Sequence, residues 1–125
     1  MVVLGLVGAY YLNIGLANRD IRVFREKRNL IAANNPRIFD DYAEILGRKF
    51  PARTPRAQIV KEFVDCDERD SVTTFTDSRK DGFLEVYVYN FGFWGRLELS
   101  ANYDTAGLRK ENEFGRFFQY DPYDL

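Results

Sequence analysis

The pattern of apolar and polar positions divides the chain into an uncharged beginning, a helical middle and an alternating second half. Residues 1–17 carry no charged side chain, and their aliphatic residues are interleaved with glycine and alanine. Apolar residues then recur every three to four positions up to about residue 64, which is the period of an amphipathic helix. From Ser71 onward the pattern alternates with period two, as in β-strands. This order predicts an α+β fold.

The uncharged beginning allows three interpretations. As a transmembrane helix, residues 1–17 span roughly 26 Å, at the short end of what a hydrocarbon core of about 30 Å requires. As a secretory signal peptide, they offer a small-residue cleavage site at Gly15 and Ala17 but lack a basic n-region. As part of a soluble core, they form a buried helix or a pair of strands. We favour a single transmembrane anchor, because the remaining chain predicts a domain that is complete without it.

The residues around the predicted anchor indicate its packing and orientation. Gly5 and Ala9 have the spacing that lets another transmembrane helix approach closely. No basic residue precedes the anchor, whereas residues 18–34 are basic, so the body is predicted on the cytoplasmic side of an inner membrane, or on the matrix or stromal side of an organellar one. Residues 18–34 either extend the helix or form a solvated linker. Five of their side chains are predicted to contact anionic lipid headgroups: Arg19, Arg22, Arg25, Lys27 and Arg28.

Residues 35–114 predict a small α+β domain with two short helices on a three- to four-stranded antiparallel sheet. Asn35-Pro36 and Thr54-Pro55 are helix starts, with a capping side chain before a proline. Strands are predicted over residues 71–76, 83–91 and 96–103, with a turn over residues 77–82 whose strongest signal is Asp81-Gly82, and a weaker edge strand over residues 108–114. In residues 83–91 we expect the aliphatic side chains to face the core and the aromatic ones to be half exposed. Residues 115–125 are an aromatic tail.

The aromatic residues, 16% of the chain, predict a protein interface. Tyrosine, tryptophan and phenylalanine are enriched where proteins bind one another. The same rings can alternatively fill the protein's own core. The predicted interface comprises a strand face, a glycine-framed turn and the tail: Tyr87, Tyr89, Phe91, Phe93, Trp94, Phe117, Phe118, Tyr120 and Tyr123.

Composition excludes several chemistries. The chain has no histidine and a single cysteine, Cys66, which excludes histidine-based triads, an intramolecular disulfide and multi-cysteine metal sites. A carboxylate pair, Glu85 and Glu98 on adjacent strands, is the remaining enzymatic possibility. Residues 18–56 carry ten Lys or Arg against five Asp or Glu, and residues 57–125 carry eight against fourteen. Because the aromatic half is acidic, nucleic acid is not a predicted partner.

Part of the chain resembles a known family. The run Thr54-Pro55-Arg56-Ala57-Gln58-Ile59-Val60, the alternation over residues 96–103 and the turn Asp104-Thr105-Ala106-Gly107-Leu108 make residues 36–114 similar to the small BamE/SmpA-like fold. That family packs two helices on a three-stranded antiparallel sheet and serves in envelope assembly as a binding module. The resemblance rests on element order and turn chemistry. It assigns no functional residue, and the family's lipobox cysteine has no counterpart here.

These observations together predict a non-catalytic, membrane-anchored accessory or scaffold subunit. It would dock onto a larger integral membrane protein complex through the aromatic sheet face and tail, contact anionic lipid headgroups and need no cofactor. The alternative is a soluble α+β binding module or a small carboxylate-dependent enzyme.

Overall fold

A computed structural model of the chain describes residues 2–28, 30, 38–92, 95–110 and 114–119. Side chains are described in these ranges except at residues 2–11, 13, 14, 38 and 119. The four strands form one antiparallel sheet in the order β1-β2-β3-β4, and the helices cover one of its faces, which confirms the α+β fold. The described elements are α1 (Val2–Lys27), α2 (Ile38–Lys49), α3 (Arg56–Glu62), β1 (Glu68–Thr76), β2 (Arg79–Phe91), β3 (Gly95–Asp104) and β4 (Gly115–Gln119).

Helix α1 joins the uncharged segment to the basic one without a break. Of the two alternatives for residues 18–34, the helix extension is the one that the structure shows as far as Lys27. Ala17, Ile21 and Phe24 recur at helical spacing and pack into the core, so the second half of α1 belongs to the folded body. None of the helices among the described residues combines the length and the apolar character needed to cross a membrane.

Both shorter helices lie where the sequence predicts them. The residues proposed to start α2, Asn35 and Pro36, lie outside the described residues. Pro55 was expected at the first helical position, but it occupies the N-cap, one residue before α3 begins. The predicted Thr54 cap is also wrong, because no side chain caps this helix and the Thr54 hydroxyl donates to the Pro51 carbonyl at 2.6 Å.

A layer of aromatic rings lies between the helices and the sheet. Each helical segment contributes one phenylalanine that contacts a ring on a strand, at centroid separations of 4.8 Å for Phe24–Tyr89, 4.5 Å for Phe39–Phe118 and 4.2 Å for Phe63–Tyr87. Such ring pairs stabilise a core by about 0.5–1.5 kcal/mol each beyond the area they bury. The ring layer therefore fixes which helix lies over which strand.

The helices cover the aromatic face of β2, and the prediction for this strand is wrong in that respect. Tyr87, Tyr89 and Phe91 are buried, whereas Leu84 and Val86 point to the uncovered face and are half exposed. Large rings bury more area than aliphatic side chains, and the tyrosine hydroxyls find charged partners under the helices. The alternation predicted for β3 is confirmed in the same sheet.

The edges of the sheet differ from the prediction. Of the predicted edge strand, Leu108 and Arg109 form only isolated bridges, and residues 111–113 lie outside the described residues. Arg109 turns inward, and its guanidinium lies over the Phe114 ring at 4.1 Å. The fourth strand, β4, instead uses the first five residues of the predicted tail. At the other edge, β1 is longer than predicted and begins in the acidic stretch at Glu68.

The turn between β1 and β2 lies within the predicted residues 77–82, at Asp77 and Ser78 rather than at Asp81-Gly82. Both residues have positive φ, 51° and 66°, as a two-residue hairpin turn requires. Gly82 lies inside β2 with φ 152°, and a Cβ there would stand 1.9 Å from the Tyr103 carbonyl oxygen. The glycine is therefore needed for close strand approach, not for the turn.

We expect Gly82→Ala to lower the free energy of unfolding by about 2 kcal/mol or more, because the new methyl group collides with the β3 backbone. Gly107→Ala is the matched control. Gly107 also has positive φ, 79°, but no atom lies within 4 Å of a Cβ there, so its cost is about 1 kcal/mol. Urea unfolding measures both variants, and equal losses would show that backbone conformation alone decides the effect.

Candidate functional site

Helix α1 is exposed at Leu12 and Gly15, just before it enters the folded body. Leu12 is 57% exposed, and no atom lies within 4 Å of a Cβ built on Gly15. Ala17, half a turn later, is fully buried. We name residues 2–16 of α1 the apolar arm, since none of them is charged. Gly5 and Ala9 lie on this arm, and their predicted role in helix packing stays a prediction because their side chains are outside the described set.

The base of the apolar arm is attached to the end of strand β2. The Asp20 carboxylate accepts a hydrogen bond from the backbone N–H of Gly92 at 2.8 Å. Phe24, one turn further along, packs edge-on against Phe91 at a centroid separation of 5.7 Å. A polar and an apolar contact therefore fix α1 at the point where the arm leaves the body.

Arg28, just after α1, is the centre of a buried polar network. Only 7% of its side chain is exposed. Its Nη2 donates to Asp65 Oδ1 at 2.8 Å and to the Tyr89 hydroxyl at 2.7 Å, and its Nε donates to the Tyr42 hydroxyl at 3.0 Å. The guanidinium also lies 3.9 Å above the Phe24 ring. The prediction that Arg28 contacts lipid headgroups is therefore wrong.

The titrating groups of this network favour one charge state. Burial and hydrogen bonding to Glu62 raise the pKa of Tyr42, and burial and hydrogen bonding to Asp65 raise that of Tyr89. Partial burial alone would raise the pKa of Asp65, but hydrogen bonds from Arg28 and Tyr89 and the nearby guanidinium bring it below its ordinary value. At neutral pH the tyrosines are therefore neutral, and Arg28 and Asp65 form an ion pair among them.

The other predicted headgroup residues remain accessible. Arg19, Arg22 and Lys27 are exposed on α1, and Arg25 is half exposed. Arg19 is 3.5 Å from the Asp20 carboxylate, a weak contact for a side chain that is 61% exposed. Their contact with lipid stays a prediction.

The two carboxylates considered for catalysis lie on opposite faces of the sheet. Glu85 pairs with Ala101 in the register of β2 and β3, whereas Glu98 pairs with Val88. Glu85 is buried under the helices and Glu98 lies on the uncovered face beside Arg96. The hypothesis of a carboxylate pair is therefore wrong.

Glu85 is instead held by hydrogen bonds at the back of a cleft of about 380 Å³. Arg56 Nη2 donates to its Oε2 at 2.8 Å, and the Tyr87 hydroxyl donates to its Oε1 at 2.6 Å. The Tyr103 hydroxyl lies 2.7 Å from that of Tyr87 and extends the chain of hydrogen bonds. Burial raises the pKa of Tyr87 and brings that of Tyr103 to about 12. At neutral pH Tyr87 and Tyr103 are therefore neutral hydroxyls.

The face of the sheet opposite the helices is uncovered by any described element. We name it the open face and define it by alternate residues of the four strands. Val72 is 57% exposed on it and Phe117 is 51% exposed. Arg96 lies between Glu98 at 2.9 Å and Glu68 at 3.5 Å, and Val88 is buried between these side chains. The open face comprises Glu68, Asp70, Val72, Leu84, Val86, Val88, Arg96, Glu98, Ser100, Gly115 and Phe117.

The predicted partner interface is divided by the structure. Tyr87, Tyr89 and Phe91 are core residues, so their assignment to an interface is wrong. Phe118 is half buried against Phe39, and Phe117 is exposed on the open face. The remaining four residues, Phe93, Trp94, Tyr120 and Tyr123, lie outside the described residues.

Sequence reasoning missed the polar partners that hold the helices in place. Arg56, Glu62 and Asp65 carry no motif, and their partners are distant in sequence. One signal was present: the aromatic side of β2 also carries Glu85, and a carboxylate among rings indicates a buried network with a cation supplied from elsewhere.

Comparisons with protein-family models, curated proteins and solved structures find no match to this chain. The resemblance to the BamE/SmpA-like fold thus stays a prediction based on element order. In the part of the chain that the structure describes, no group of three or more acidic or cysteine side chains is placed to hold a metal ion. The apolar arm and the open face are therefore the features that bear on function.

We expect Asp65→Asn to lower the free energy of unfolding at pH 7 by about 1–3 kcal/mol, because it leaves the buried Arg28 without its counterion. The pKa of Asp65 is lower in the folded than in the unfolded chain. Its contribution is therefore complete above the unfolded value of about 3.9 and disappears as pH falls through the folded value. Urea unfolding from pH 7 to pH 2 tests this. Asp70→Asn, an exposed control, should change little, and a pH-independent loss in Asp65→Asn would contradict the ionic explanation.

We expect Glu85→Gln to lower the free energy of unfolding by about 1–3 kcal/mol, because Arg56 and Tyr87 lose a charged acceptor. Glu98→Gln on the open face should change it by no more than about 0.5 kcal/mol. Thermal unfolding of both variants makes the comparison. An unchanged stability in Glu85→Gln would show that the buried carboxylate is not structural and would return it to consideration as a reactive group.

Proposed function

We propose that the protein is a non-catalytic accessory subunit whose apolar arm enters a membrane beside a larger integral membrane protein. The observation that carries this proposal is the division of α1 at Ala17. The charged half of the helix is locked into the core, and the uncharged half exposes Leu12 and Gly15 on a folded body. A helix satisfies its own backbone hydrogen bonds, so this half needs only an apolar environment for its side chains.

The length of the arm supports a partner in the membrane. Fifteen residues, Val2 to Leu16, extend about 22 Å as a helix, short of a hydrocarbon core of about 30 Å. The aliphatic side chains favour insertion by about 1.5–3 kcal/mol each when fully buried. Gly5 and Ala9, four positions apart on the arm, allow the close backbone approach of a neighbouring transmembrane helix. We therefore propose that the arm is inserted against an integral complex.

The cations at the base of the arm support the orientation. Arg19, Arg22 and Lys27 are exposed just after the uncharged residues, where anionic headgroups lie when the arm is inserted. By the positive-inside rule the body then lies on the cytoplasmic, matrix or stromal side. Asp20 and Arg28 hold α1 rigidly, so insertion of the arm also sets the orientation of the sheet.

We expect Leu12→Asp to reduce the binding of the full-length protein to lipid vesicles by about tenfold or more, because a carboxylate replaces a leucine in the inserted helix. Val64→Asp is the matched control, since Val64 is 83% exposed on the body, away from the arm. Flotation with vesicles of phosphatidylcholine and phosphatidylglycerol measures both variants. Near-ultraviolet circular dichroism verifies that each remains folded.

Two results would contradict the proposal. Equal flotation of Leu12→Asp and Val64→Asp would show that the arm is not the anchor. Full flotation of the double variant Arg19→Glu, Arg22→Glu on the same anionic vesicles would contradict the proposed headgroup contacts. It would leave the proposed anchor itself untouched.

A further inference from the structure

The open face is a second surface that the protein leaves uncovered, and its apolar residues are contiguous. The register places Val72 beside Leu84 and, in the next row, Val86 between Asp70 and Ser100, with Gly115 beyond Ser100. Val72 is more than half exposed, while Leu84 and Val86 are half buried. Contiguous exposed apolar residues on a sheet face mark a binding surface more often than scattered ones.

The middle row of the open face is shallow. It is shallow because Ser100 and Gly115, two small residues, are adjacent, with the Ser100 Oγ in the space that a Cβ on Gly115 would take, at 2.1 Å. The side chain of Phe117 rises beside this row, half exposed. The face therefore offers a depression with an aromatic wall, which accommodates apolar side chains of a partner.

The charge around the depression is negative. Glu68, Asp70 and Glu98 carry three carboxylates, and Arg96 is the one cation among the residues that define the open face. Arg96 is already engaged by Glu68 and Glu98. The helical layer has the opposite character, with exposed Arg22, Lys49 and Lys61 among its side chains. Charge complementarity across an interface favours a partner of the opposite sign.

We infer that the open face binds a cationic amphipathic segment of a neighbouring subunit, with apolar side chains in the depression and Lys or Arg against the three carboxylates. This inference rests on the proposed function only in taking the partner to be a member of the same complex. The chain's own residues 120–125 fit poorly, because they contain Asp121 and Asp124 and no cation.

The experiment uses the full-length protein in phosphatidylcholine nanodiscs and two synthetic 18-residue amphipathic probes, one of leucine and lysine and one of leucine and glutamate. Methyl NMR spectra report binding at Val72, Leu84 and Val86, and titration of empty nanodiscs gives the background that lipid alone contributes. We expect the lysine probe to shift these methyl signals and to bind about tenfold more tightly than the glutamate probe.

Two pairs of variants separate this surface from general attraction. We expect Asp70→Lys to weaken the lysine probe about fivefold or more, while Glu26→Lys, the same charge change on the helical layer, alters its affinity by less than about twofold. Val72→Ser should weaken it similarly, unlike Val64→Ser on the other layer. Leu12→Asp should leave probe binding unchanged, so a failure of the anchor is distinguishable from a failure of this inference.

Several results would overturn the inference. Equal affinity for both probes would remove the role of charge, and equal weakening by Asp70→Lys and Glu26→Lys would reduce it to net charge. Methyl shifts confined to residues of the helical layer would show that the probe binds there and not on the open face. A self-association that Val72→Ser abolishes, with no probe binding at low concentration, would make a second copy the occupant.

Discussion

The buried guanidinium of Arg28 is the interaction on which the arrangement of helices depends. It follows α1 and reaches Tyr42 on α2, Asp65 in the segment between α3 and β1, and Tyr89 on β2. Removing a charge from water costs several kcal/mol unless hydrogen bonds and a counterion replace the hydration. Only a packing of the helices that brings these partners together meets this requirement of the buried guanidinium. Together with the contacts of Asp20 and Phe24, Arg28 therefore sets the position of α1 and the direction of the apolar arm.

The same requirement explains which face of the sheet the helices cover. Both faces of β2 carry apolar side chains, so hydrophobicity alone does not choose between them. The aromatic face, however, carries two tyrosine hydroxyls and Glu85, which need partners when buried. The helical layer brings Arg28 and Arg56 to that face as partners for these groups. The aliphatic side chains of the other face need no such partners. The aliphatic residues consequently remain outside, in contact with acidic neighbours.

The sequence predicts the helices and strands better than it predicts which face of the sheet the helices cover. Periodicity predicts the two shorter helices and the alternation of β3, because a period depends only on neighbours along the chain. It does not reveal which of two apolar faces is covered, because that depends on contacts such as Arg28–Asp65, 37 residues apart. Arg28 was grouped with Arg19 and Arg22 by charge, although its helical spacing from Ile21 and Phe24 already placed it on the inner side. Spacing was the better guide than charge.

Strand β2 connects the base of the apolar arm with the open face. Its odd-numbered residues contact α1 through Tyr89 and Phe91, and its even-numbered residues supply Val86 and Val88 to the open face. A strand paired on both sides cannot slide by one residue without exchanging its faces. The base of the apolar arm and the open face are therefore parts of one rigid body. In the proposed function, fixing the arm in a membrane would fix the side on which the acidic face is presented, so that anchoring and partner binding would need no separate coordinating element.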